Sequence, residues 1–412
     1  MALTTTLPPN RTGAPIRLAP LAPRLVLFGL LFLLAGCLAA PSPHPSIPGP
    51  GVVLDAAGRT TTRLVLAKAL AGAQVALVGE VHDNPAHHRL QLELAQDMAK
   101  AGGPLFIGVE WLDHSMQPVC DRLSNGTITP EQFAREVGWD KHWGYSFEMF
   151  KPILALAAKP NVALLALNAP TAVIRKLARQ GLAKLSPAER AQLAPALDLA
   201  DPAYREVIMR AFRAHGMAGP AMGERFFGAQ VARDETMAHR LAARFLPWPE
   251  SKARAIVFAG GGHLTAGQGL PPRIERRLPG VRLITVLPAT PGSLAGLAAR
   301  RPGAPLADFV VITAPAPRRP MLGVLIGPSP RGLLVKRVFP GAPAQRAGIM
   351  AGDILTQVDG RPLADAKDIH RALKSAPFKP HTYTLERNGK ARSLTITLPR
   401  PGQRPGTSPH RE

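Results

Sequence analysis

Two cysteines in 412 residues allow at most one disulfide, too few for a disulfide framework, and if one of them is lipidated a cysteine-based metal site is excluded as well. Aromatic residues make up only 5% of the chain, little material for the stacking platforms that single-stranded nucleic acid requires. Acidic side chains are outnumbered 28 to 50 by Lys and Arg, giving a formal charge of +22. That excess is scattered over short stretches, so nucleic acid is not an expected partner, and an anionic lipid surface or an acidic ligand fits better. An Ala/Pro/Arg-rich composition would give the same charge with no function attached. G-x-x-x-x-G-K-[ST] is missing, which excludes a P-loop, and so are the H-E-x-x-H and G-x-S-x-G signatures.

At this length the chain has room for two domains with good cores. Ahead of them Arg11, Arg17 and Arg24 precede an apolar stretch from Leu25 to Leu34. A membrane helix needs about 20 apolar residues, so the stretch reads as a cleaved signal over residues 1–36. Leu34-Ala35-Gly36-Cys37 resembles the lipobox of bacterial lipoproteins, which implies a lipid on Cys37, a membrane anchor and exposure to the periplasm. Leu38 follows the cysteine where that family's inner-membrane members carry Asp, which is compatible with the outer membrane. Residues 37–50 read as a Pro/Ser-rich tether. Cys120 is then alone, and a small buried hydrophobe is its expected role.

The stretch Val75 to His88, V-A-L-V-G-E-V-H-D-N-P-A-H-H, organises the first domain, residues 51–288. A short apolar run reads as a buried strand that stops on Glu80 and His82, whose side chains share a face in an extended chain. Asn84 then caps a helix that begins at Pro85 and carries Leu90, Leu94 and Met98 before Gly102-Gly103-Pro104. Three similar apolar runs end on Glu110, on Asn168 and on Gly260-Gly261-Gly262-His263. Intervening helices require these strands to run parallel, which brings Glu80, His82, Glu110, Asn168 and His263 to one edge of the sheet. Ligands in open α/β sheets sit just beyond the carboxyl ends of the strands. The predicted fold class is therefore α/β, a mostly parallel sheet flanked by helices.

Between Trp111 and Phe150 the chain concentrates His114, Trp139, His142, Trp143 and Tyr145, with a helix start at Thr129-Pro130-Glu131. A helical region follows from Thr171 to Arg244, broken at Gly181 and at Gly219-Pro220. Within it Gln230, Asp234 and Met237 share a face. A last strand is expected over Val281 to Leu287.

The motifs G-E-V-H-D-N-P-A-H-H at 79–88, G-V-E at 108–110, N-A-P at 168–170, A-Q-V-A-R-D-E-T-M-A at 229–238 and A-G-G-G-H-L-T-A-G-Q-G-L-P at 259–271 together resemble the ChaN-like haem-binding lipoproteins of the Tiki superfamily. The resemblance implies an α/β fold and haem binding in bacterial iron acquisition, and distant members of the superfamily are hydrolases. Family members often place a tyrosine just before a proline where this chain has Phe150-Lys151-Pro152, and Tyr145 lies five residues earlier. Two site chemistries stay open. Haem would take an axial ligand from His82, His87, His88 or Tyr145. Alternatively Glu80, His82, Glu110 and His263 would hold Zn, Mn or Co in a hydrolase, one carboxylate acting as general base.

Residues 289–318 read as a Pro/Ala-rich linker with one apolar island at Phe309 to Ile312. Beyond it M-L-G-V at 321–324, G-L-L-V-K-R-V at 332–338, P-G-A-P-A-Q-R-A-G-I at 340–349 and G-D-I-L-T-Q-V-D-G-R-P-L at 352–363 resemble a bacterial PDZ domain, residues 319–399, small and β-rich. The resemblance implies a groove that takes the extended or C-terminal peptide of an envelope protein as an added strand, with donors around Leu322, Gly323 and Val324 and with His370 or Leu373 on the lining helix. A scaffold built on that domain is a third reading of the whole chain. Residues 400–412 read as a disordered tail.

Overall fold

The computed structural model describes residues 48–214, 219–245, 253–298, 303–316, 321–373 and 376–399. The leader with Cys37, most of the tether and the tail lie outside the described residues. Among those described, no helix is long and apolar enough to cross a membrane.

The first domain is one eight-stranded sheet. Its strands are β1 (Val53–Asp55), β2 (Thr60–Thr61), β3 (Val75–Glu80), β4 (Leu105–Asp113), β5 (Val162–Asn168), β6 (Arg254–Gly260), β7 (Leu283–Ala289) and β8 (Phe309–Ile312), in the order β2-β1-β8-β7-β3-β6-β4-β5. From β8 to β5 all neighbours are parallel, and β1 and β2 add an antiparallel edge. Every residue of β3 is buried, as expected of a strand covered on both faces.

Alternate residues feed two cores. Ala76, Val78, Ile107, Val109, Ile256 and Phe258 pack against Leu66, Leu90, Leu94 and Phe150 from the helices Arg63–Gly72, Pro85–Lys100 and Phe147–Ala157. Leu77, Phe106, Ala255 and Val257 face Leu241, Phe245 and Ile274 from the helices Pro220–Phe245 and Leu270–Arg277. Each such aliphatic or aromatic side chain contributes about 1.5–3 kcal/mol on burial, so the sheet is a stiff base for what stands on its rim.

Local signals hold where the sequence placed them. Asn84 caps the helix Pro85–Lys100 by accepting from the Ala86 N–H at 2.9 Å. Thr129 and Gln132 form a capping box on Pro130–Glu136. Cys120 is a free, fully buried thiol, and burial pushes its pKa up, which leaves it inert.

Two boundaries differ from expectation. Strand β4 runs past Glu110 to Asp113, with a register shift that lets the sheet continue beyond the site. The linker expected over residues 289–318 is largely absorbed by the domain: β8 is inserted between β1 and β7, and Ala314 accepts from the Asn84 side chain at 3.1 Å. The apolar island is a strand because the edge of β7 would otherwise leave unpaired backbone beside a buried core.

The second domain is a sheet of β9 (Val324–Ser329), β10 (Gly332–Val338), β11 (Ile354–Val358), β12 (Arg361–Pro362), β13 (Pro380–Arg387) and β14 (Lys390–Thr397). The order is β14-β13-β11-β10-β9, with β12 on β11, and all pairs are antiparallel. Leu333, Val335, Leu355, Tyr383 and Leu385 form its core with Ile369 and Leu373 of the helix Ala366–Leu373.

Candidate functional site

Register sets the site. Glu80 at the end of β3 is paired with Gly260 at the end of β6, and β4 lies on the other side of β6, with Val109 beside Phe258. Three adjacent strand ends therefore bring Glu80, His82, Glu110 and His263 together. The Gly260 N–H donates to Glu110 Oε2 at 2.6 Å, and Glu110 Oε1 lies 3.2 Å from His263 Nε2. A Cβ at Gly260 would stand 3.2 Å from His82 Cε1 and 3.4 Å from Glu110 Oε2, so glycine here is a matter of space. Asn168 meets the same rim from β5, its amide donating to the Glu110 carbonyl at 3.0 Å.

One half of the rim is sealed. His263 Nδ1 lies 2.5 Å from Asp234 Oδ1, and the Tyr204 hydroxyl donates to the other oxygen of Asp234. Glu110, His263, Asp234 and Tyr204 are all buried. Burial alone would lower the His263 pKa, but the charges of Glu110 and Asp234 and the hydrogen bonds to both raise it well above the ordinary value. Burial likewise pushes Glu110 up, and His263, His82 and Arg233 more than reverse this, holding the carboxyl far below its ordinary range. The imidazolium is thus fixed between two carboxylates, the arrangement that makes buried charge tolerable. Behind it Glu235 faces Arg273, Arg276 and Arg277, and Arg273 lies over the Tyr204 ring.

The other half is accessible and aromatic. His82 follows β3 with its side chain 29% exposed, and its Nδ1 lies 2.5 Å from Glu80 Oε1. Gln91 holds the second Glu80 oxygen, donating from Nε2 at 2.7 Å. A carboxylate bound at Nδ1 orients the imidazole and leaves Nε2 as the nitrogen open to a ligand. Burial pulls the His82 pKa down, yet the Glu80 hydrogen bond and the Glu110 charge raise it overall. Trp143 and Tyr145 flank the ring, with centroids at 4.9 and 5.5 Å. Phe150 is fully buried among His88, Trp111 and Trp139.

His87 and His88, expected to be open to haem, are instead structural. His87 is buried, and its Nδ1 accepts from the Val81 N–H at 2.9 Å, which puts the ring proton on Nε2. The one lone pair in the ring plane is thus spent on Val81, and Nε2 is buried and carries the proton, so neither nitrogen is offered to iron. Burial, then the neighbouring His88, lowers its pKa to about 4. The ring nitrogens of His88 face the His82 carbonyl at 3.0 Å and Gln91 Oε1 at 3.1 Å. His87 lies three and seven residues before the buried Leu90 and Leu94, and His88 seven before the buried Ala95, spacings that put both on the buried face of the helix and were the signal for this burial.

The metal reading with Glu80, His82, Glu110 and His263 as ligands does not fit. Among the described residues no group of three or more His, Cys, Asp or Glu is arranged to hold a metal ion. The physical reason is that Glu110 and His263 already satisfy each other, Gly260 and Asp234. Asp234 and Tyr204 were missed as members of the site. Asp234 carried a signal, since it lies in the 229–238 motif, whereas Tyr204 in a plain helical stretch carried none.

In the second domain the amides at the start of β9 stand out. The carbonyls of Leu322 and Gly323 accept from Ala344 at 2.9 Å and Phe339 at 3.0 Å, while their N–H groups donate to no described residue. Gly323 holds a left-handed conformation, φ 78°, against Ala342, which any side chain would obstruct. Val324 begins β9 directly after them. His370 falls on the helix Ala366–Leu373, and its side chain lies outside what the structure describes.

A rim site at the carboxyl edge of a parallel sheet, followed by a small antiparallel domain with an open edge strand, defines the class. The family described as haem-binding uptake, Tiki superfamily, ChaN matches residues 66–274, half of the chain, and a PDZ domain matches residues 334–387. The chain belongs to that ChaN family and carries a C-terminal PDZ domain. Among solved structures, ChaN of Campylobacter jejuni, which binds haem cofacially, aligns with a TM-score of 0.50 and 16% identity over 64% of this chain and 97% of that one. That likeness establishes the fold. A putative serine protease, HhoA, of Synechocystis sp. is 41% identical over 70 residues, 17% of this chain and 18% of that protein. The periplasmic pH-dependent serine endoprotease DegQ of Escherichia coli is 36% identical over 69 residues, 16% of this chain and 15% of that protein. The chain spans less than a fifth of the length of these curated relatives, so the likeness is to one segment of each.

Proposed function

We infer that the protein binds haem at the accessible half of the rim, with His82 as axial ligand and Tyr145 beside it. The observation that carries this reading is the His82 imidazole, half-buried, oriented at Nδ1 by the buried Glu80 carboxylate and flanked by Trp143 and Tyr145. Iron in haem takes imidazole or phenolate as axial partner, so the donor set fits the group. Glu80 fixes the ring and raises its basicity, Gln91 holds Glu80, and the two aromatic rings supply apolar surface for a flat ligand. Membership of a haem-binding family supports the same reading.

The rest of the proposal follows from the sequence. The protein is a lipoprotein anchored through Cys37, facing the periplasm from the outer membrane and serving iron acquisition. Its PDZ domain docks the extended or C-terminal peptide of an envelope partner, for which the amides of Leu322 and Gly323, which have no acceptor among the described residues, are suited as carboxylate donors.

The test is titration of the full-length protein in detergent with hemin, followed through the Soret band. The native protein is expected to shift the band saturably. His82→Ala should abolish or displace the shift, and Tyr145→Phe should change it less. No shift in the native protein would end the haem reading, and a native spectrum from His82→Ala, alone or combined with Tyr145→Phe, would end the ligand assignment.

A further inference from the structure

The open edge of the PDZ sheet carries a cation that the fold sets in place and that has no carboxylate partner among the described residues. β10 pairs with β9 through Val335 with Ile326 and then Arg337 with Leu325, so Lys336 is the extra residue of a bulge. The bulge sends its side chain across Gly327 of β9, where a Cβ would lie 2.9 Å from Nζ. Glycine at 327 is what lets the ammonium lie there. Lys336 is exposed and pairs with no carboxylate among the described residues, whereas Arg331 is engaged by Glu386 and Arg337 lies over the Phe339 ring.

An added strand places one residue opposite each residue of β9, with side chains alternating between the two faces. Val324 and Ile326 pack toward the core of the domain, and Leu325 is half-exposed on the opposite face. If the terminal carboxylate is held by the amides at 322–323, the last residue lies by Val324. The residue three before it then lies opposite Gly327, on the face where Lys336 waits.

We propose that Lys336 is a specificity residue of this PDZ groove, selecting extended peptides that carry Asp or Glu three residues before an apolar, carboxylate-bearing end. The proposal rests on the docking role given above to the PDZ domain. Charge complementarity commits it to an acidic peptide, since among the described residues Arg331 and Arg337 are engaged and Lys336 is left to face the added strand. Leu322, Ile369 and Leu373 supply the apolar setting for the last side chain.

Three labelled decapeptides test this by fluorescence anisotropy with the full-length protein. Two end in a free valine carboxylate and differ only in Glu or Gln three residues before it, and the third is the Glu peptide with an amidated end. The Glu peptide should bind about two- to fivefold more tightly than the Gln peptide, as for a rim charge pair, with the gap closing near 1 M salt. Lys336→Met should bring the Glu peptide to the level of the Gln peptide and leave the Gln peptide unchanged. Equal binding of the two by the native protein, or a preference that survives Lys336→Met, overturns the assignment while docking stands. Absence of binding by all three, or indifference to amidation, overturns docking itself and the proposal with it.

Discussion

The two halves of the rim are built from the same residue types and have opposite characters. On one side Glu110, His263, Asp234 and Tyr204 form a buried chain in which every charged group faces a partner. On the other, Glu80 and His82 repeat the carboxylate–imidazole pair, but the ring is partly open to solvent and meets Trp143 and Tyr145 in place of a second carboxylate. The lesson is that an imidazole held by one carboxylate keeps a nitrogen to offer, whereas one held by two has become part of the framework. Residue identity alone does not separate these roles; the number of satisfied nitrogens does.

Breaking the sealed half should cost the most. Asp234→Asn leaves the His263 cation with a single carboxylate and is expected to destabilise the fold by about 3–5 kcal/mol, the usual result of removing one member of a buried ionic set. Urea unfolding followed by circular dichroism measures it, and a loss below about 1 kcal/mol would show that the network is not structural. Haem binding by the folded fraction should persist, which separates the halves.

The next effect concerns the footing of the open half. His87 is neutral and buried beneath Val81, with its pKa depressed to about 4. A histidine with a lowered folded value contributes stability that is complete above its unfolded value near 6.5 and is lost as pH falls toward about 4, because the unfolded chain binds the proton first. The drop attributable to His87 is roughly 3 kcal/mol across that window. Comparison of urea midpoints at pH 7 and pH 4.5 for the native protein and His87→Gln reads it out, the variant being expected to show a flatter profile.

The smallest effect sharpens the comparison most. Glu80→Gln preserves shape and burial but removes the charge that orients His82, and loss of such a partner commonly lowers metal affinity about ten- to hundredfold. Hemin titration should show that loss with little change in the urea midpoint. An unchanged affinity would mean that His82 is not a ligand or does not depend on Glu80.

Much of this was legible in the sequence because it depends on local rules. Asn84-Pro85 and Thr129-Pro130 mark helix starts by capping chemistry, and short apolar runs ending on Glu80, Glu110 and His263 mark strands whose parallel packing forces a shared rim. Where tertiary partners decide, the residues gave less away. His87 and His88 read as available until their spacing from Leu90 and Leu94 is weighed as burial. Tyr204 gains its role from Asp234, thirty positions away. Phe309–Ile312 is too short to show a period, and only the vacancy between β1 and β7 makes it a strand.

That late strand has a mechanical consequence. The Gly51 N–H donates to the Ile312 carbonyl at 2.8 Å, and Ile312 returns a bond to Val52, so the polypeptide enters and leaves the sheet at one point. Tension applied between those two positions would peel β1 from β8 one rung at a time. The load would be spent in that short zipper, and β3, β4 and β6, which bear Glu80, Glu110 and Gly260, would feel none of it until the zipper had opened.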